Sequence, residues 1–202
     1  MPPKAKFSRE DIIKGALHIV RENGIEALTA RALAERLGSS TQTIFTVFKN
    51  MEEVQEEVRK AAMKSFVDCV EEAMHYVPVF KQVGIQMLRF AKEEPRLFQL
   101  LFMWEREESR DFAEHSKRLG SLFNVCVEVL QKDYELAQEE AKELFQQVWI
   151  FTFGMGVLCA TNTRCFSEKE MEELLGREFI SMLMYVKAGK LKENTIHPEK
   201  RV

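Results

Sequence analysis

Apolar residues recur along this chain at three- and four-residue intervals almost from end to end, the period of helices that bury one face. Gly and Pro are sparse, and no stretch alternates in the two-residue rhythm of a strand, so the pattern predicts an all-α protein. Ser8 is a good N-cap, with Asp11 placed to answer it in a capping box and Phe7 and Ile12 at hydrophobic-staple spacing. Ile13, Ala16, Leu17 and Val20 then form the expected buried stripe of a first helix, which Gly24 ends. A second helix is predicted to start at Thr29, stapled by Leu28 and Leu33, and to stop after Leu37 at Gly38. A third runs from Ser40 to about Phe48. Helix, short helix, tight turn and helix in that order make a helix-turn-helix.

Beyond Lys49-Asn50 an amphipathic stretch reaches about Tyr76, and Pro78 breaks it. Further helices are expected over 79–93, 95–104, 107–131 and 135–163. A last one starts at Ser167, boxed with Glu170, and ends near Lys187. The chain thus divides into a helix-turn-helix domain over 1–50, a helical body over 51–188 and a polar tail over 189–202.

Composition changes this picture in one respect. The net charge of −3 conceals an uneven distribution, because residues 1–50 carry eight Lys/Arg against five Asp/Glu while the remainder is acidic. A basic head on an acidic body suggests that the head alone meets a polyanion. Hydrophobic residues make up 46% of 202, enough for a core. No apolar run reaches the roughly 18 residues of a spanning helix and none follows the N-terminus, so a cytoplasmic protein is expected. Cys69, Cys126, Cys159 and Cys165 are scattered without metal-ligand spacing and read as reduced thiols in or near a core. Neither a metal nor a cofactor is expected.

The stretch Leu28-Thr29-Ala30-Arg31-Ala32-Leu33-Ala34-Glu35-Arg36-Leu37-Gly38 followed by Thr43-Ile44-Phe45 and Phe48-Lys49-Asn50 resembles the DNA-binding domain of the TetR family of repressors. The resemblance covers about residues 8–55 and rests on several motifs at fixed spacing. The third helix is its recognition helix. With Ile44 and Phe48 packed against Leu33 and Leu37, the opposite face carries Thr41, Gln42, Thr46 and Val47, side chains of the kind that read base edges in a major groove. Thr29 and Ser40, at helix starts, suit phosphate oxygens. Arg31, Thr43, Phe45 and Lys49 complete the expected DNA-binding set. Three positions depart from the family pattern: Phe45 for a Tyr, Met51 for a Lys and Val47 for a His, so one phosphate-binding hydroxyl is missing. A three-helix module that binds protein is the alternative reading of the same residues.

What the resemblance implies for the rest is a ligand-binding body and a homodimer on a palindromic operator, with repression relieved by a small hydrophobic effector. The segment from Val148 to Ala160, apolar nearly all round and containing Gly154 and Gly156, reads with Phe179, Ile180, Met182, Leu183 and Val186 as a subunit interface, or else as a monomer's core. Phe66, Met87, Phe90, Phe98, Phe102, Met103, Trp104 and Trp149 are the candidate ligand-binding residues. Against an enzyme, Glu72 and His75 have the E-x-x-H spacing of di-iron bundles, but no second such motif follows.

Overall fold

A computed structural model describes residues 7–103 and 119–188. The candidate Trp104, much of the helix expected over 107–131 and the polar tail lie outside the described residues, among which there is no strand. The expected all-α class is what the chain adopts.

Helix α1 spans Arg9–Asn23. Its capping box is present: Ser8 Oγ accepts the Asp11 N–H at 3.1 Å and the Asp11 carboxylate accepts the Ser8 N–H at 3.0 Å. Gly24, at φ 83°, ends it with its N–H on the Val20 carbonyl, a conformation that a side chain would strain. The buried face is Ile12, Ala16, Ile19 and Val20. That stripe is rotated from the expected one, since Ile13 and Leu17 are only half-buried. Both apolar sets satisfy helical spacing, and only the neighbouring helices decide between them.

After a single 3-10 turn at Ile25–Ala27, α2 covers Ala30–Arg36 and α3 covers Thr41–Phe45. Gly38 at φ 58° makes the turn between them. Regular helix in α3 stops three residues short of the expected Phe48, although the Phe48 N–H still reaches the Ile44 carbonyl at 3.0 Å. Thr46 causes part of this, because its hydroxyl donates to the Thr43 carbonyl at 2.7 Å and tightens the last turn.

Helix α4, Met51–Glu71, begins at the Asn50 cap and buries Val54, Val58, Ala62, Phe66 and Val70. A 3-10 turn holds Glu72 and His75, both exposed. Next come α5 (Val79–Glu93), α6 (Pro95–Phe102), α7 (Ser121–Tyr134), α8 (Gln138–Ala160) and α9 (Glu168–Lys187), the last with its Ser167–Glu170 box formed. In the body α5 packs on α4, α8 and α9, while α1 packs on both α4 and α6.

Helix α8 is the most apolar element. It is long and apolar enough to cross a membrane, although half of its best 18-residue window is buried inside the fold. Within its nearly all-apolar segment from Val148 to Ala160, Ile150 and Leu158 are exposed, and Gly154 faces open space. Gly156 behaves differently: a Cβ there would lie 2.7 Å from Cζ of the fully buried Phe98 ring. The glycine is a notch that admits α6.

Gly156→Ala should therefore destabilise the fold by about 1–3 kcal/mol, the usual cost of overpacking a filled core. A denaturant titration that leaves the midpoint unchanged would show that α6 is not seated in this notch.

Candidate DNA-binding interface

The candidate interface is built on α2 and α3. Ile44, fully buried, and Phe48, at 2% exposure, join Leu33 in the core and fix the inner side of the recognition segment. Thr41, Gln42, Phe45 and Thr46 are exposed on its other side. Val47 is not among them: it is half-buried and packs against the core, because α3 ends before it and the turn carries it inward.

The hydroxyls divide by what holds them. Thr29 Oγ1 accepts the Ala32 N–H at 3.1 Å, capping α2 while its own proton stays available. Thr43 Oγ1 is bonded by Ser39 Oγ at 2.8 Å, so half-buried Thr43 ties the turn to the helix. Ser40 stands at the N-cap of α3 without a side-chain capping bond, its Oγ 3.5 Å from Thr43 Oγ1. Thr41 and Gln42 make no side-chain hydrogen bond among the described residues. Arg31, in the first turn of α2, and Lys49, just past the recognition segment, are exposed cations.

In the body, the candidate ligand residues meet chiefly as rings. Phe66 stands edge-on to Phe90 at 5.3 Å and to Phe102 at 5.0 Å, Phe98 lies 4.9 Å from Phe102, and Trp149 stacks on Phe145 at 5.6 Å. These contacts are core packing. Met87 and Trp149 also line a cavity of about 20 Å³ with Phe80, Val83, Gly84 and Thr152, room for about one water. Met103 is 40% exposed and lies elsewhere, in a groove of about 300 Å³ against Asn23–Glu26 and Arg96. The four cysteines are free thiols, and Cys165 is exposed rather than in a core. Burial pushes the Cys126 thiol up to about 12 and raises Cys69 and Cys159, which keeps those three protonated.

Residues 12–58 match the family model of bacterial regulatory proteins of the tetR type. The N-terminal module is similar to that of the TetR family. The tetracycline repressor class D of Escherichia coli is 41% identical over 46 residues, which are 23% of this chain and 21% of that repressor. The class H repressor of Photobacterium damsela subsp. piscicida matches equally over the same extent. The chain thus aligns with about a fifth of the length of these relatives. Solved structures extend the likeness in fold alone. A transcriptional regulator from Rhodococcus sp. Rha1 superposes at TM-score 0.69 with 16% identity, covering 88% of this chain and 97% of that one. A regulator from Mesorhizobium loti assigned to the TetR family does so at 0.58 with 18% identity, covering 88% and 98%.

Two residues of the TetR-type module escaped the sequence reading. Glu53 accepts the Lys49 N–H at 2.8 Å and the Arg9 guanidinium at 2.9 Å. The Asn50-x-x-Glu53 spacing is a capping-box signal that would have marked Glu53, whereas Arg9 had no local signal.

Carboxylates in and beside the module titrate below the ordinary range, among them Asp11 and Glu53. Asp11 is lowered by the hydroxyl and then the N–H of Ser8, and Glu53 by the Lys49 N–H and then Arg9. A carboxylate with a depressed folded-state pKa stabilises fully above its unfolded value and loses that contribution as pH falls through the folded one. Melting temperature should therefore fall below about pH 4, and Asp11→Asn should lose less than the parent over the same range. Parallel melting curves from pH 7 to pH 3 would contradict this.

Proposed function

We propose that this chain is a homodimeric, sequence-specific DNA-binding repressor, released from a palindromic operator by a small hydrophobic effector, and not an enzyme. The observation that carries this reading is the two-sided recognition segment of the TetR-type module: Ile44 and Phe48 locked in the core, Thr41 and Gln42 exposed with their hydrogen-bonding groups unspent. Gln42 offers a donor and an acceptor, the pair that reads adenine in bidentate fashion. Thr29, Arg31, Ser40, Phe45 and Lys49 complete the proposed contact set, with Thr43 and Thr46 holding the helix in shape.

Dimerisation is supported by the outer surface of α8 and α9. Ile150 and Leu158 on α8 are exposed, as are Ile180 at 57% and Met184 at 68% on α9. Two packed helices that both leave apolar side chains in water suit a second copy of the chain. The copies would place their recognition helices about 34 Å apart, one turn of DNA.

An effector acts through differential affinity for two arrangements. The ring cluster of Phe66, Phe90, Phe98, Phe102 and Trp149 with Met87 is the proposed binding region. Its rings fill one another's space, so a ligand enters only by moving them. Phe66 sits on α4, and the same helix starts beside the recognition segment. Displacement at one end reaches the other.

The test selects an operator from random duplexes. Gln42→Ala should cost about 1–3 kcal/mol on that operator while sparing random DNA and the melting temperature. Lys49→Ala should weaken all duplexes alike and reduce the salt slope by about one. Failure of the parent protein to enrich any sequence overturns the reading.

Gly154→Arg places a charge on the open face of α8 and should convert a dimer to a monomer with its helical content kept, as read by sedimentation. A parent protein that sediments as a monomer at micromolar concentration would end the dimer proposal.

A further inference from the structure

Arg9 and Glu53 are 44 residues apart in sequence and meet where three parts of the module converge. Arg9 opens α1, and its Nη2 donates to Glu53 Oε1 at 2.9 Å and approaches Glu57 Oε1 at 3.5 Å. Its guanidinium carbon also stands 4.3 Å from the centroid of the Phe48 ring, the residue that closes the recognition segment. The second oxygen of Glu53 accepts the Lys49 N–H at 2.8 Å, while the Glu53 N–H donates to Asn50 Oδ1 at 2.9 Å. One carboxylate therefore holds α1 with one oxygen and the chain leaving the recognition helix with the other.

The recognition helix needs such a hold. Five residues are too few to be stable as a helix alone. Ile44 and Phe48 fix its inner edge and the Ser39–Thr43 bond fixes its start, but neither anchors the backbone that leaves the helix after Phe48. The bond from the Lys49 N–H to Glu53 fixes a third point, and Arg9 stacked on Phe48 keeps Glu53 in place.

We propose that the Arg9–Glu53 pair is a positioning clamp that sets the angle between the recognition helix and α4, and thereby the operator discrimination of the module, without touching DNA. This rests on the DNA-binding reading above. Charge alone makes the opposite prediction for each residue. Carboxylates near phosphates repel them, so neutralising Glu53 would tighten binding to every duplex, and Arg9 would be replaceable by any cation. A clamp requires the planar fork and the stacking surface of arginine, which lysine lacks.

The test uses the full chain with Arg9→Lys and Glu53→Gln, titrated against the operator that the parent selects and against a random duplex of equal length. Arg9→Lys keeps the charge. Glu53→Gln keeps the shape but turns an amide donor toward either Arg9 or Lys49. Both variants should lose about ten-fold on the operator, the scale of one mismatched base pair, with affinity for the random duplex held and the salt slope unchanged. Tighter binding of Glu53→Gln to both duplexes overturns the clamp, as does full discrimination by Arg9→Lys. A parallel fall on both duplexes also overturns it, since general loosening of the module then accounts for the loss. Melting curves identify any variant unfolded at the assay temperature; should Glu53→Gln be one, Arg9→Lys decides alone. If the parent selects no operator, the DNA-binding reading itself has failed, and the parent control shows this before either variant is assayed.

Discussion

Everything else in this molecule hangs on one buried row of α4. Val54, Val58, Ala62, Phe66 and Val70 repeat every four residues along a single helix, and all are fully buried. The helix is 21 residues long, which at the rise of an α-helix is about 30 Å. Its first turns pack against α1 and its later ones against α5 and α6. A row of i, i+4 residues is one ridge, and a ridge in the grooves of neighbours at both ends cannot turn at one end alone. The recognition segment and the ring cluster are therefore attached to one rigid part.

Helix α6 adds a second link of a different kind. Its N-terminal side faces α1, where Arg21 pairs with Glu94 at 3.1 Å, and Gln99 donates to the Ala160 carbonyl at the end of α8 at 2.6 Å. Both partners of the ion pair are partly open to solvent, so it adds little stability. The seating of Phe98 in the Gly156 notch is the stronger restraint, because close-packed interiors resist small displacements. A shift of α8, which is also the proposed subunit contact, is thus transmitted to α6 and from there to the first helix.

The legible part of this fold was the local part. The caps at Ser8, Thr29 and Ser167 and the breaks at Gly24 and Gly38 depend on residues three or four apart, and each stands where the pattern placed it. What the sequence hid was set by neighbours. Ile12 and Ile19 displaced Ile13 and Leu17 from the core because α4 and α6 lie on that side. Gly154 and Gly156 are alike in composition and two residues apart, yet one faces open space and the other an aromatic ring. Val47 fits an exposed helical face on paper, and the early end of α3 turns it inward. Within the candidate site, the motif and its exposed Thr41 and Gln42 could be read off directly. The Arg9–Glu53 contact could not, since no short-range pattern joins residues on different helices.

The division of labour among the hydroxyls follows from the shortness of α3. A helix this brief gains little from its own backbone bonds, so side chains must supply order that a longer helix would have from propagation. Ser39 on Thr43 and Thr46 on the Thr43 carbonyl do so at 2.8 and 2.7 Å. A hydroxyl whose proton is spent on a carbonyl offers only lone pairs to a partner, which narrows Thr46 to contact with donors or with a methyl group. Such bonds also order the segment in the free chain, and preorganisation of that kind reduces the entropy lost on any association. The same shortness that demands internal bonds thus leaves Gln42 and Thr41 as the residues proposed for direct readout, since their polar groups hold nothing else in place.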